Sequence, residues 1–139
     1  MDMKLENVIL PVTDVDRAKA FYEQAGFHLD VDHEVSEEFR VVQLTPPGSE
    51  CSITIGKGMT ASPPGTAQGL HLVVTDVEAA RDELIGKGID VSEPFHFGPE
   101  GQTPGVDPEH RDYWSYVTFN DPDGNGWLLQ EVKYQPADR

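Results

Sequence analysis

"VILPVTDVDRAKAFYEQAGF", residues 8–27, and "LHLVVTDVEAARDELIGKGI", residues 70–89, are two copies of one pattern at a constant offset of 62 positions. Leu10 and Leu72, Val12 and Val74, the Thr-Asp-Val triplets at 13–15 and 75–77, Ala18 and Ala80, and Gly26 and Gly88 are identical. Each copy opens with an apolar run of strand length. Apolar residues at helical spacing follow: Val15, Ala18, Phe21 and Tyr22 in the first copy, Val77, Ala80 and Leu84 in the second. The order is therefore strand, cap, helix. Thr75 with Glu78 three residues on fits a capping box, and Thr13 with Asp16 is a weaker version of it. Gly26 and Gly88 stand where left-handed helix ends are expected.

Strand-like segments follow each helix. In the first half they are "FRVVQLT" (39–45) and "CSITIG" (51–56), separated by the turn-forming "PPGSE". In the second half they are "YWSYVTF" (113–119) and "GWLLQEV" (126–132), separated by "NDPDGN", whose Asp, Pro and Gly residues favour tight turns. Short strands near 28–33 and 89–95 are expected to precede them. Each half then reads β-α-β-β-β, an α+β pattern. Module one spans about 4–56, a Gly/Ser/Thr/Pro-rich linker spans 57–68, and module two spans about 69–133 of a single domain. The segment "FHFGPEGQTPGVDPEHRDYW" (95–114) is longer than a hairpin needs and reads as a lid, with Phe95, Phe97 and His110 as candidate contacts, or else as a surface insertion or dimer contact.

The 139 residues suit one compact unit that can bury roughly two-thirds of its unfolded surface. With 37% hydrophobic and 25% charged residues, the chain is not of the disordered class. Ten basic against 25 acidic residues leave a formal charge of −15, which disfavours nucleic acid and anionic membrane as partners. Cys51 is the only cysteine, so no internal disulfide and no thiolate cluster can form. Its strand-like setting suits a buried, inert thiol. The start "MDMKLENVILPV" has neither a basic leader nor a membrane-length apolar run, and a cytoplasmic protein is expected.

The doubled strand-"VTDV"-helix unit, together with "DPDGNGWLLQEV" at 121–132, resembles the vicinal oxygen chelate family, which includes glyoxalase I, bleomycin-resistance proteins and extradiol dioxygenases. The resemblance covers Leu5 to about Val132. It implies two βαβββ modules forming a half-open barrel that holds a ligand, and a homodimer. It also implies, for metal-binding members, histidines near the start of each module's first strand and polar ligands on each last strand. In this chain those positions hold Asn7, Gly69 and Leu128, and "CSITIG" carries no carboxylate, imidazole or glutamine. No metal ligands and no cofactor are therefore expected. A divalent ion bound by a shifted set that includes His71 and Gln130 is the alternative.

Without an ion, a cavity must work by shape and hydrogen bonding. His71 is the one central-strand group that ordinarily titrates near neutral pH, and it reads either as a proton carrier or as a hydrogen-bonded core histidine. On 113–119, strand alternation puts Trp114, Tyr116 and Thr118 on one face and Tyr113, Ser115, Val117 and Phe119 on the other. The first set suits a pocket wall. Asn7, Thr54 and Gln130 add hydrogen-bonding groups, and Arg40 could hold a ligand carboxylate or pair on the surface with Glu37 or Glu38. Glu131 alternates away from Gln130 and is expected in solvent; His96 and His110 are expected to be exposed loop residues.

The leading expectation is a protein that binds a small organic molecule. The second is a metal-independent lyase, isomerase or cyclase, in which His71 moves a proton while Gln130, Asn7 or Tyr116 polarises a carbonyl. A divalent-metal lyase or dioxygenase is third, and a purely structural role is last.

Overall fold

The computed structural model describes residues 1–133. In chain order the elements are β1 (Asn7–Ile9), α1 (Val15–Gln24), β2 (His28–Glu34), β3 (Arg40–Thr45), β4 (Ser52–Lys57), β5 (Leu70–Val74), α2 (Val77–Gly86), β6 (Phe95–Gly98), β7 (Gly101–Pro104), β8 (Ser115–Asn120) and β9 (Gly126–Glu131). They form a four-stranded sheet, β1-β4-β3-β2, and a five-stranded sheet, β5-β9-β8-β6-β7. The architecture is the expected α+β repeat of two β-α-β-β-β patterns, the second with an extra edge strand. The chain divides into two compact units: Met1–Gln68 with Asn120–Asn125, and Gly69–Phe119 with the residues from Gly126. Among the described residues no helix is long and apolar enough to cross a membrane.

In the first unit, α1 packs on β3 and β4. Val15, Ala18 and Tyr22 on its inner stripe, with Val42, Leu44, Ile53 and Ile55 on the facing strand positions, are all buried. Complete burial of each such aliphatic side chain contributes about 1.5–3 kcal/mol. β1 runs parallel to β4, with Asn7 opposite Ser52 and Ile9 opposite Thr54. The turn 120–125 belongs to this unit although it joins β8 to β9. The Asp121 carboxylate accepts from the Tyr22 hydroxyl (2.8 Å), the Asn125 side chain (2.8 Å) and the backbone amides of Asp123 and Asn125. Asn125 in turn donates to the Pro11 carbonyl and accepts from the Ala67 amide.

In the second unit α2 packs on β9. Phe119 and Trp127 stack with centroids 5.9 Å apart, and Val77, Leu84, Val117 and Leu129 are also buried. β5 is parallel to β9, pairing His71 with Leu128 and Val73 with Gln130.

Several sequence expectations need correction. The helix N-caps are Asp14 and Asp76, one residue later than the threonines: their carboxylates accept from the amides of Arg17 and Ala79, and their carbonyls take the first helical bonds. A carboxylate reaches the third amide as well as a hydroxyl does, and its charge also favours the positive end of the helix. Thr13 is instead held by Asp123, through both its amide and its hydroxyl. Gly26 and Gly88 do adopt left-handed φ values of 105° and 86°. The following Phe27 and Ile89 amides then return to the Tyr22 and Leu84 carbonyls, closing each helix.

The strand expected near 89–95 begins only at Phe95, and 95–104 is no loose lid. It is a hairpin whose alternating Phe95 and Phe97 precede a turn at Pro99 and Glu100, with Phe95 paired to Pro104. Cys51 lies just before β4 and is half-buried, not in the core; burial still pushes its thiol up.

Candidate functional site

Contacts assign the two faces of the five-stranded sheet. Glu131 reaches the α2 N-terminus, so Glu131, Leu129 and Trp127 face that helix, and alternation turns Leu128 and Gln130 the other way. The same parity places Tyr116 and Thr118 of β8, and His71 and Val73 of β5, on the face away from α2.

On that face Gln130 and Tyr116 form a connected pair. The Gln130 amide donates to the Tyr116 hydroxyl (3.0 Å) and to the Tyr113 carbonyl (3.1 Å), and the Tyr116 hydroxyl donates to the same carbonyl (2.6 Å). Phe95 stacks on Tyr116 at 5.6 Å and 18°. Phe97 stands edge-on to both, at 6.1 Å and 5.5 Å. Phe95 also lines a groove of about 530 Å³, with Pro94 and Pro104 as apolar walls and Thr118 and Gln102 as polar lining. A smaller hollow of about 300 Å³ in the first unit, bordered by Thr13 and Lys57, contains none of the candidate site residues.

The other candidate residues fall in different places. His71 lies on this face but is exposed, and its Nδ1 sits 2.9 Å from the Gly69 carbonyl. It is not the core histidine of the alternative reading. Trp114 precedes β8 instead of extending it; it is 39% exposed and lies under the Arg111 guanidinium, 4.2 Å from the ring centroid. Tyr113 likewise leaves the strand pattern, with φ 74° and an exposed side chain, so the alternation expected from 113 begins only at Ser115. Asn7 is exposed on β1, and Thr54 is buried on β4, beside Gln43 of β3.

Arg40 belongs to another cluster. Its guanidinium makes a bidentate pair with Asp32 (3.0 and 2.9 Å) and a third bond to Asp16 on α1 (2.8 Å). Lys19 also bonds to Asp32, at 2.8 Å. The Arg40 bonds, then those of Lys19, hold the Asp32 carboxyl well below the usual range. The expected partners Glu37 and Glu38 are displaced because Arg40 shares the helix side of the sheet with Val42 and Leu44, where Asp16 and Lys19 are within reach. Each of its three nitrogens donates to one of these carboxylates, and it takes no part in the aromatic face.

Glu131 corrects the expectation of a solvated carboxylate most fully. It is 1% exposed; one oxygen accepts from the Val77 amide at the first turn of α2 (3.0 Å), and the other meets His110 Nδ1 (3.2 Å). His110, expected as a free loop residue, thereby ties its segment to the helix. His96 is half-buried on β6, with Nδ1 2.7 Å from the Gly105 carbonyl. The segment between is held by Asp107, fully buried, which takes two bonds from the Arg111 guanidinium and one from its amide. These bonds keep the Asp107 carboxyl well below its ordinary range.

The residues present do not fit the divalent ion that the resemblance implies for some members. Asn7, Gly69 and Leu128, with Thr54 as the β4 counterpart of Leu128, offer one amide and one hydroxyl. Such ions require carboxylates or several imidazoles. Among the described residues no three His, Cys, Asp or Glu side chains are grouped to hold a metal.

Comparison with known proteins adds independent information. Residues 4–129 match the model of the Glyoxalase/Bleomycin resistance protein/Dioxygenase superfamily. The chain is 30% identical to a glyoxalase/bleomycin resistance protein from Streptomyces sp. CB03234, whose crystal structure superposes with a TM-score of 0.69 over 92% of this chain and 100% of that one. It is also 30% identical to TnmS3, an antibiotic binding protein from the same Streptomyces, with a TM-score of 0.70 over 94% of this chain and 97% of that one. The uncharacterized protein YetH of Bacillus subtilis is 23% identical over 94% of this chain and its own full length.

Proposed function

The chain belongs to the Glyoxalase/Bleomycin resistance protein/Dioxygenase superfamily, and from that premise we propose that it binds a small organic molecule, without a metal ion, on the aromatic face of its five-stranded sheet. The observation that carries this reading is the Phe95–Phe97–Tyr116 cluster beside the 530 Å³ groove, a size within the range of sites for organic ligands. Phe97 is 45% exposed, and covering such rings with a guest is favourable in proportion to the apolar area removed from water. The Gln130–Tyr116 pair, oriented by the Tyr113 carbonyl, supplies fixed polarity at the border of that surface. A relative that is an antibiotic binding protein, 30% identical over nearly the whole chain, supports the same role. The poor donor set at Asn7, Thr54, Gly69 and Leu128 supports recognition without an ion.

Thermal-shift screening of a library of organic metabolites and antibiotics, followed by native mass spectrometry of the hits, tests the proposal. Saturable one-to-one binding that Tyr116→Ala weakens is expected, and no hit at millimolar concentration would refute it. Elemental analysis of protein purified without chelator tests the metal-free part: stoichiometric bound Zn, Ni, Mn or Fe would overturn it. The homodimer implied by the resemblance is read by light scattering on the same sample.

A further inference from the structure

The groove is built unevenly, and the unevenness points to a ligand class. Its apolar wall is rigid: Pro94 and Pro104 flank Phe95, and the Gly105 amide donates to the Pro94 carbonyl (2.9 Å), closing the open end of the β6–β7 hairpin. Phe95 stacks with Tyr116, the two rings within 18° of parallel, so two ring planes beside the groove share one orientation. A flat ring parallel to those planes can extend the stack by offset stacking and make an edge contact with Phe97.

The polar side of the groove carries hydroxyl and amide chemistry. Ser92 is consumed by the fold: its hydroxyl accepts from the Thr118 amide and donates to the Glu93 carbonyl, and its own carbonyl is held by Arg81. Among the described residues, the Thr118 hydroxyl and the Gln102 side-chain amide make no such bonds. Both groups can donate or accept, which suits ring heteroatoms, carbonyls and amines.

Charge decides the rest. Among the described residues, Glu93 is the only charged side chain lining the groove, and no cation lines it. Arg81, which bonds to two of the lining residues, is committed to the Ser92 carbonyl (2.7 Å) and to Glu93 Oε1 (3.1 Å). The whole chain adds a formal charge of −15. A carboxylate or phosphate would therefore be desolvated with no counter-charge, inside a repelling field.

Resting on the proposed binding role and narrowing it, we infer that the groove and the aromatic cluster beside it take a flat, ring-bearing compound that is uncharged or cationic, and discriminate against anions of the same shape. Three tricyclic probes of nearly equal size separate shape from charge at pH 7.5: 9-aminoacridine (cationic), acridine (uncharged) and 9-anthracenecarboxylate (anionic). In fluorescence titrations, the first two are expected to bind at least tenfold more tightly than the third. The advantage of 9-aminoacridine should shrink as salt is raised. Phe97→Ala should weaken both favoured probes about tenfold and Gln102→Ala several-fold. Both positions are exposed, so the thermal midpoint and circular dichroism should stay unchanged. Equal or tighter binding of the carboxylate, or unaltered binding by Phe97→Ala, overturns the inference. If library compounds bind but no tricycle does, the ligand class is wrong and the binding role stands; if nothing binds, both fall.

Discussion

The hydroxyl of Tyr22, at the buried face of α1, donates to the carboxylate of Asp121, in the turn between β8 and β9, at 2.8 Å. The residues are 99 positions apart in sequence, and both are nearly inaccessible to solvent. The turn that follows β8 is thereby a working part of the first unit. Asp121 also accepts from three other donors, so removing it takes a shared acceptor from four donors at once. Asp121→Ala should lower the unfolding free energy by about 2–4 kcal/mol, and Asp121→Asn by less, since one carbonyl oxygen still accepts. Urea unfolding monitored by tryptophan fluorescence measures both.

Glu131 offers a parallel case in the second unit. Its buried carboxylate bonds to the first amide of α2 and to His110. Glu131→Ala leaves a helix terminus without its acceptor and should cost about 2–4 kcal/mol, while Glu131→Gln, which keeps one acceptor, should cost about 1 kcal/mol. His110→Ala, whose side chain is 42% exposed, should cost no more than about 1 kcal/mol. That order is checked by chemical unfolding of the three variants side by side; a neutral Glu131→Ala would contradict it.

The Arg40–Asp32–Lys19 cluster predicts a pH response. Hydrogen bonds from Arg40 and then Lys19 depress the folded-state pKa of Asp32. Its contribution to stability is complete above the unfolded value, near 4, and is lost as pH falls below that toward the folded value. The urea midpoint should decline below about pH 5, and Asp32→Asn should flatten part of that decline while lowering the midpoint at pH 7. A variant as acid-sensitive as the parent would show that other carboxylates, such as Asp107, dominate.

His71 and Gln130 separate position from function. His71 is exposed, and its ring contacts the Gly69 carbonyl, so His71→Ala should change stability by less than about 0.5 kcal/mol. Gln130→Ala removes a donor to both Tyr113 and Tyr116 and loosens a segment whose Tyr113 backbone sits at φ 74°. It should weaken ligand binding several-fold with a thermal midpoint within a few degrees of the parent. If any turnover of a bound compound is found, its retention in His71→Ala assigns the proton transfer elsewhere.

How much of the site the sequence reveals can be followed along two strands. On β8 and β9 the alternation of Tyr116, Thr118, Leu128 and Gln130 against Val117, Phe119, Trp127 and Leu129 is legible, and the structure keeps it. The parity of Glu131 is equally legible, but alternation says only which side a residue takes, not what lies there. The helix-facing side is not solvent, and Glu131 is buried there, accepting from the first amide of α2. The hairpin at 95–104 has its own signal, Phe95 and Phe97 before Pro99, Glu100 and Gly101, which the abundance of glycine and proline around it obscures.

The chain's own order thus determines the doubled β-α-β-β-β pattern, the helix ends at Gly26 and Gly88 and the side each strand residue takes. All of these follow from backbone geometry within a few residues. Only tertiary structure decides that Arg40 answers Asp32 and Asp16, that Asp121 serves α1, that Glu131 is buried, and that Phe95, Phe97 and Tyr116 meet beside one groove. Those outcomes depend on which distant surface covers a given face, and the burial that results sets each polar group's partner.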